Sequence, residues 1–469
     1  MTKEKTGKWT SKILAYSLKN AIEHEGKAQE ASVISGLFAE GLKKEQVKEV
    51  IAEVKQMVSK VNTMSLEEQE KEYSQFEDTI SHRTEREGLQ ELPNAKEGKV
   101  VLRLAPYPSG ALHIGNAKTY LLNALYSEKY KGKLYLVIDD TIGSEEKQIV
   151  KEAYKLIPDA FDWLKVKYKQ PIIYKSDRLK IYYEYAEKII KLGKAYVCTC
   201  PAEKLRENRA RGEECPERKA SIETNLKEWK KMFSSYKEGQ AVLRIKTSMQ
   251  DKNPAFRDRV LFRISERTHP RVGNKYKVWP LLEFSWAIDD HLLGITHVVR
   301  GKDLMMESEM EKFIWNIFKW KSPELLHAGM VKLEGMGAKI SKSKAQKEVK
   351  SGEFSGWDDP RTWSVQSLRK RGFLPETLRK FVEDIGLNQN DTTVAVEILY
   401  SINRKFLREI AIKSEFTVSE KGNFMIIMED ASEVKIKSKI SPKPGEIYHF
   451  PGLGYARYDK DKKFYFAHK

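Results

Sequence analysis

Residues 103–116 combine charged, small and turn-forming side chains at the start of a predicted helix. The segment reads Arg-Leu-Ala-Pro-Tyr-Pro-Ser-Gly-Ala-Leu-His-Ile-Gly-Asn, and it follows the apolar run of residues 99–105. The first turn of a helix carries unsatisfied N–H groups and a partial positive charge, so it suits an anion. His113 can donate a hydrogen bond to a phosphate, and Gly115 lets a nucleoside approach the backbone closely. The segment therefore predicts a phosphate site.

A second segment has the composition of a triphosphate loop. Lys339 and Lys342 stand three positions apart in a loop bounded by Gly337, and Ser341 and Ser343 supply small hydroxyl side chains. Lysine side chains can neutralise charge that develops on a leaving pyrophosphate. Such a loop alone is typical of a solvated surface. Together with residues 103–116 it indicates binding of a nucleoside triphosphate.

Three cysteines, Cys198, Cys200 and Cys215, are the only ones in the chain. Their spacing is that of a zinc knuckle, because thiolates are favoured zinc ligands, and Glu217 would then be an unusual fourth ligand. The alternative is an insertion that binds no metal, and the sequence favours this alternative because no histidine lies near Cys215. Three cysteines in 469 residues exclude a disulfide scaffold and predict a reducing, cytoplasmic location.

The elements around these residues predict a parallel α/β sheet. A short apolar strand, the turn at residues 106–110, a helix from Leu112 to Tyr126 and a second strand at residues 133–139 follow each other in order. We therefore predict a Rossmann-type catalytic domain that is interrupted by an insertion and followed by helices and a small β-domain. The predicted boundaries are 1–96 for a helical domain and linker, 97–193 and 266–350 for the two catalytic halves, 194–265 for the insertion, 351–414 for a helical domain and 415–469 for the β-domain.

The charge distribution points to a polyanionic partner. The chain has a net charge of +17, and residues 1–96 alone carry −2, so the basic surplus lies in residues 97–469. This is typical of nucleic-acid binding, and a lysine-rich solvated surface is an equally good reading of charge alone. The sequence contains no run of about 18 apolar residues, so it predicts no membrane-spanning helix.

Several motifs in order resemble one family. They are residues 103–115, Asp139-Asp140-Thr141, residues 289–303 from Asp-Asp-His to Gly-Lys-Asp, and Gly356-Trp-Asp-Asp-Pro-Arg361. This series resembles the archaeal-type glutamyl-tRNA synthetases, which are class I aminoacyl-tRNA synthetases of the glutamyl and glutaminyl subfamily. The resemblance runs through residues 98–410.

The resemblance implies ATP-dependent ligation of glutamate to tRNA through a glutamyl-adenylate, with Mg²⁺ accompanying ATP. It places tRNA and glutamate as partners, and it leaves a protein partner for the N-terminal helical domain as an open expectation. The implied ATP-binding residues are His113, Gly115, Asn116, Lys339, Ser341, Lys342 and Ser343. The implied amino-acid-binding residues are Arg103, Ala105, Ser109, Asp139, Leu282 and Arg300.

The sequence also departs from the family pattern. Asn116 replaces the second histidine of the first motif, and Leu282 stands where the family has a tyrosine that helps to recognise the substrate side chain. The C-terminal β-region after position 414 holds only 55 residues, which suffices for one small sheet rather than a two-barrel anticodon-binding part. Two alternatives therefore stay open: a paralogue that uses another amino acid or acceptor, and a non-catalytic tRNA-binding relative.

Overall fold

The computed structural model describes residues 7–24, 26–76, 79–80, 88–143, 148–335 and 342–469, with only the backbone for residues 7, 8, 39, 44 and 342–344. No helix within these ranges is long and apolar enough to cross a membrane. The helices are α1 (Gly7–Glu23), α2 (Glu30–Ala39), α3 (Val47–Val61), α4 (Leu66–Tyr73), α5 (Ile114–Lys129), α6 (Ala153–Trp163), α7 (Leu179–Lys191), α8 (Ala202–Arg211), α9 (Ile222–Met232), α10 (Leu282–Leu292), α11 (Met305–Phe318), α12 (Lys342–Ser351), α13 (Val365–Arg371), α14 (Pro375–Ile385) and α15 (Val396–Ile410).

Most of the strands are two to five residues long. They are β1 (Val101–Leu104), β2 (Lys133–Ile138), β3 (Lys169–Tyr174), β4 (Ala195–Cys198), β5 (Val242–Ile245), β6 (Val260–Ile264), β7 (Val278–Pro280), β8 (His297–Gly301), β9 (Glu324–Ala328), β10 (Val331–Glu334), β11 (Thr392–Ala395), β12 (Ile412–Lys413), β13 (Thr417–Val418), β14 (Phe424–Ile427), β15 (Glu433–Lys437), β16 (Ile447–Phe450), β17 (Gly454–Tyr458) and β18 (Phe464–His468).

The chain divides into two compact units, residues 1–87 and 88–469. In the first unit α1 packs against α2, α3 and α4 around a core that includes Val33, Leu37 and Val54. These residues recur at helical spacing, so one face of each helix is apolar and must be buried. The predicted helical character of the N-terminal part is confirmed, and its protein partner stays a prediction.

The second unit contains the predicted parallel sheet. Strands β1, β2 and β3 pair in parallel in that order, and β8 pairs in parallel with β9. Strand β8 lies beside β1, and the amide N–H of Thr296 donates to the carbonyl of Val101 at 3.0 Å. Helix α5 crosses from β1 to β2, as a parallel pair requires. The carboxyl ends of β1, β8 and β9 therefore lie at one edge, where ligands bind in folds of this kind.

An antiparallel sheet with two helices interrupts the parallel strands. Strands β4, β5, β6 and β7 pair in this order, and α8 and α9 connect β4 to β5. Its core joins strand residues such as Phe262 to residues of α7, α9 and α10, including Trp229 and Phe284. The sheet extends past the predicted end of the insertion at residue 265, because β7 at residues 278–280 is its last strand.

The C-terminal region is a curled sheet of seven strands in the order β12, β16, β17, β18, β14, β15 and β13. It begins at Ile412 and is joined to the helices before it, since the buried guanidinium of Arg371 in α13 donates to the carbonyls of Phe466 at 3.0 Å and Ala467 at 2.7 Å. The predicted α/β fold with a helical N-terminal part and a β-rich C-terminal part is confirmed.

Candidate active site

One cavity of about 1070 Å³ opens at the carboxyl ends of β1, β8 and β9, beside the first turn of α5. It brings together seven of the residues predicted to bind substrates. They are Arg103, Ala105, His113, Gly115, Asn116, Leu282 and Arg300. Residues from distant parts of the sequence therefore meet in one place, as the motif order predicts.

Four other residues predicted to bind ATP cannot be placed relative to the cavity. Lys339 and Ser341 lie outside the described residues, and the side chains of Lys342 and Ser343 do as well. Glu334 and Gly335 line the cavity, so the predicted triphosphate loop follows in the chain directly after its wall. The role of this loop stays a prediction. Ser109 and Asp139 are described, and neither is among the residues that line the cavity.

The predicted phosphate turn has the geometry of a helix N-terminus. His113 is the residue before α5, and its Nδ1 accepts a hydrogen bond from the N–H of Gly115 at 3.1 Å. A neutral imidazole that accepts at Nδ1 carries its proton on Nε2, so His113 can donate from Nε2 to an anion. The buried Oδ1 of Asn116 has no hydrogen-bond partner among the described residues. Both side chains line the cavity.

Lys118 is a cavity residue that sequence reasoning missed. Its side chain is buried, and its Nζ donates to the carbonyl of Gly329 at 3.1 Å. Burial lowers the pKa of Lys118, and the carboxylate of Asp391 opposes this shift only in part. The available signal is its position in α5, because Lys118 lies one turn after Ile114 and one turn before Leu122, on the apolar face of the helix.

Arg103 is held by a buried carboxylate of α10, that of Asp290. Its Nε donates to Oδ1 of Asp290 at 2.5 Å, and its Nη2 donates to Oδ2 at 2.9 Å. The Arg103 side chain is 4% exposed and the Asp290 side chain is fully buried. A two-bonded pair of this kind fixes the plane of the guanidinium. The Arg103 guanidinium also lies 3.6 Å from the ring centroid of Trp286, another cavity residue that sequence reasoning missed.

Arg300 is fixed in a similar way. Its Nη1 and Nη2 donate to the two carboxylate oxygens of Glu311 at 2.9 and 2.6 Å, and its Nε donates to Ser308 Oγ at 3.0 Å. Burial opposes the charge on Arg300, but Glu311 outweighs burial and raises the Arg300 pKa. Both arginines predicted to bind carboxylates thus enter the site already paired with buried carboxylates of the chain.

Asp139 lies behind this wall rather than on it. Its Oδ2 accepts hydrogen bonds from Lys175 Nζ at 3.1 Å and from the indole N–H of Trp286 at 2.9 Å, and its Oδ1 accepts from Thr141 at 3.0 Å. Lys175 is fully buried, and burial lowers its pKa although Asp139 opposes the shift. The sequence could not predict this arrangement, because Lys175 comes from the far end of β3. The predicted contact of Asp139 with a substrate ammonium stays a prediction.

The three cysteines lie together in the insertion. The ligand atoms of Cys198, Cys200, Cys215 and Glu217 all lie within 4.8 Å of one another. Arg244 Nη1 donates to Cys215 Sγ at 2.9 Å, and Thr199 Oγ1 orients Glu217 at 2.7 Å. Burial raises the pKa of Cys200, whereas the pKa of Cys215 is lowered because contacts with Asn208 and Arg244 outweigh its burial.

Comparison with known proteins assigns the chain to a family. Residues 99–409 match the family model described as the catalytic domain of class I tRNA synthetases (E and Q). The glutamate–tRNA ligase of Pyrococcus furiosus is 42% identical over 438 residues, which are 92% of this chain and 75% of that protein. The glutamate–tRNA ligase of Thermococcus kodakarensis is 40% identical over 97% of this chain and 78% of its own length.

A third relative gives the same result. The glutamate–tRNA ligase of Methanocaldococcus jannaschii is 40% identical over 437 residues, which are 93% of this chain and 77% of that protein. This chain therefore spans about three quarters of the length of these relatives. The family and the ligase class predicted from the sequence are confirmed, and the chain belongs to the class I tRNA synthetases of the E and Q group.

Proposed function

We propose that this chain ligates glutamate to tRNA in two steps, with ATP as the energy source. The observation that carries the proposal is the single cavity in which the phosphate turn of His113 meets the two buried arginines, Arg103 and Arg300. The relatives named above are glutamate–tRNA ligases, and each of them matches more than nine tenths of this chain. A phosphate site and a carboxylate site that share one cavity suit a reaction between ATP and an amino acid.

In the first step a carboxylate oxygen of glutamate attacks the α-phosphorus of ATP. The bond from this phosphorus to the bridging oxygen breaks, so pyrophosphate leaves and glutamyl-adenylate forms. The Nε2–H of His113 donates to the triphosphate, and the N-terminus of α5 adds its partial positive charge. Gly115 leaves room for the nucleoside beside the backbone, and Asn116 binds it through its unpartnered amide oxygen.

In the second step a hydroxyl oxygen of the terminal tRNA ribose attacks the glutamyl carbonyl carbon. The bond to the phosphate oxygen breaks, AMP leaves, and the ester of tRNA forms with loss of the hydroxyl proton. No side chain needs to form a covalent bond in either step, so the work of the chain is positioning and charge stabilisation. Rigidly held groups such as Arg103 suit this role.

Glutamate lies against the two arginines in this proposal. A guanidinium has five N–H donors, and Asp290 engages two nitrogens of Arg103, so donors remain for a substrate carboxylate. Arg300 lines the same cavity and is paired with Glu311 through one N–H of each Nη, so it also keeps N–H donors, and Ala105 and Leu282 form apolar parts of the wall. The predicted loop of residues 339–343 holds the triphosphate with Mg²⁺, which supplies further neutralisation of the phosphate oxygens.

Charging assays test this proposal. Purified protein receives ATP, Mg²⁺, total archaeal tRNA and each of the twenty labelled amino acids in turn. We expect charging with glutamate, and we expect Lys342→Ala to reduce it at least hundredfold while Lys347→Ala, an exposed lysine of α12, leaves it within twofold. Absence of charging by any amino acid would exclude the ligase. Charging by a different amino acid would instead support the paralogue alternative, which the apolar Leu282 in the cavity wall favours.

The cysteine cluster is assigned to Zn²⁺. Three thiols and one carboxylate within 4.8 Å supply four ligands, which is the number that a structural zinc site requires. Three thiolates and Glu217 would leave a net negative site, and the neighbouring Arg244 guanidinium balances part of this charge. The ion would join the loop after β4 to residues 215–217 and so stabilise the insertion.

Metal analysis of the purified chain tests this assignment. We expect about one zinc per chain, lost in Cys215→Ser, with a lower melting temperature as the result. The control is Ser248→Ala, an exchange in the same insertion outside the cluster. Wild-type protein that contains no zinc after purification with added ZnCl₂ would contradict the assignment and would support the metal-free insertion.

A further inference from the structure

Trp286 connects the charged groups at the amino-acid side of the cavity. It lies on α10, its side chain is 2% exposed, and it lines the cavity beside Arg103. Its indole N–H donates to Oδ2 of Asp139 at 2.9 Å. Trp286 therefore has one edge bound to a buried carboxylate while its ring contacts the residue that faces the substrate.

The ring of Trp286 is contacted by two cations. The guanidinium carbon of Arg103 and the Nζ of Lys175 each lie 3.6 Å from the ring centroid. The face of an indole is electron-rich and attracts cations, most strongly when water is excluded. Because Lys175 is fully buried and Arg103 nearly so, these contacts lie in the interior. Asp139 and Asp290 supply the balancing negative charges.

Two restraints act on Arg103 in directions that differ. Asp290 binds the guanidinium at its edge through Nε and Nη2, whereas Trp286 covers one of its faces. The ion pair sets the plane of the guanidinium from one edge, and the ring of Trp286 supports that plane from one face. Trp286 is in turn held by Asp139 and Lys175, so the position of Arg103 depends on residues that are not among those lining the cavity.

We propose that Trp286 is a positioning residue that sets the orientation of Arg103 for recognition of the amino-acid carboxylate. This inference rests on the proposed function and adds to it a residue that acts through another. Asp139 then serves recognition indirectly, as the acceptor that fixes the indole. Binding of ATP at His113 and Asn116 does not depend on Trp286.

Steady-state kinetics of variants of the whole chain of 469 residues test this inference, with tRNA charging measured at varied glutamate and varied ATP. Trp286→Phe keeps a ring face for Arg103 and loses the N–H, whereas Trp286→Leu loses both. We expect the KM for glutamate to rise roughly tenfold in Trp286→Phe and roughly hundredfold in Trp286→Leu, while the KM for ATP stays within twofold. The matched control is Trp315→Phe, because Trp315 is also buried and donates its N–H, at 2.8 Å, to the carbonyl of Ala287 on the same helix α10.

The outcomes separate positioning from packing. A selective rise in the glutamate KM, larger in Trp286→Leu than in Trp286→Phe and absent in Trp315→Phe, would support the inference. The inference would be overturned if the KM for glutamate and the KM for ATP rose equally. It would also be overturned if Trp286→Phe and Trp315→Phe gave the same KM for glutamate. Neither result would affect the ligase activity of the wild type. A wild type that charges no amino acid would overturn the proposed function itself, and the inference with it.

Discussion

The two sides of the cavity differ in how their polar groups are satisfied before any substrate binds. At the nucleotide side, Asn116 has an amide oxygen without a partner in the described structure, and Lys118 donates to a single carbonyl. At the amino-acid side, Arg103 and Arg300 are each bound by two oxygens of a buried carboxylate. The nucleotide side therefore keeps polar groups that a ligand can satisfy, whereas the charges of the amino-acid side are already neutralised by ion pairs within the chain.

This difference fits the two ligands. ATP brings several negative charges, so the nucleotide can supply the counter-charge that Asp391 gives the buried ammonium of Lys118 only in part. An amino acid brings both signs and must be distinguished from near relatives, which requires fixed donors rather than surplus charge. Internal pairs such as Arg103–Asp290 supply that fixed geometry. The comparison predicts that changes at the amino-acid side lower stability, whereas changes at the nucleotide side lower affinity and spare stability.

Asp290→Asn is the change with the largest expected effect. The amide leaves the buried Arg103 guanidinium without a negative partner, and an unpaired buried charge lowers the free energy of unfolding by about 3–5 kcal/mol. Urea denaturation of the purified variant measures this loss, and charging with glutamate should fall to background.

The control for Asp290→Asn is an ion pair on the surface. Glu433 pairs with Lys463 at 3.5 Å, and the two side chains are 52% and 41% exposed. Glu433→Gln should change the free energy of unfolding by about 0.5 kcal/mol or less, since exposed pairs contribute little. If both variants lose equal stability, the amino-acid side is not stabilised by its internal pairs and the comparison fails.

The sequence predicts the residues that line the cavity better than it predicts the buried partners that hold them in place. His113, Asn116, Arg103 and Arg300 belong to motifs with recognisable order, and all four line the cavity. Their supporting partners have no such signal. Arg103 and Asp290 are 187 positions apart, and nothing in either segment states that they pair.

The same limit explains Asp139 and the fold. The carboxylate of Asp139 follows β2, where a substrate contact is a reasonable prediction. The sequence does not reveal that Lys175 and Trp286 donate hydrogen bonds to this carboxylate. Short apolar runs and helical spacing predict the parallel sheet at residues 99–139 because these elements are consecutive in the sequence. The C-terminal sheet could be predicted only as β-rich, since its strand order brings β14 beside β18 although three strands lie between them in the sequence.

Lys118→Met tests the nucleotide side and has a smaller expected effect on the fold. The substitution keeps the length of the side chain and removes a buried charge that has one carbonyl partner. We expect the KM for ATP to rise roughly tenfold, which corresponds to the loss of about 1.4 kcal/mol of binding free energy. The KM for glutamate should change less than twofold. Lys133→Met, an exposed lysine at the start of β2, should leave both KM values unchanged.

The smallest expected effect is a difference between the wild type and Lys118→Met in how the free energy of unfolding depends on pH. Burial lowers the pKa of Lys118 in the folded chain below the ordinary lysine value of 10.5, so the unfolded chain binds the proton more tightly. Protonated Lys118 therefore opposes folding at neutral pH, and this cost declines as the pH rises from the lowered pKa towards 10.5. Methionine at position 118 does not titrate and avoids the cost at every pH.

Urea denaturation of wild type and Lys118→Met between pH 7 and pH 10.5 measures this cost without nucleotide. We expect the variant to be more stable than the wild type at pH 7, and we expect the difference in the free energy of unfolding to narrow as the pH rises. Other titrating groups are common to both proteins and cancel in the difference. Because saturating ATP supplies the missing counter-charge, it should stabilise the wild type more than the variant at pH 7. A difference that stays constant with pH would mean that Lys118 is satisfied within the chain, and the contrast between the two sides of the cavity would then be lost.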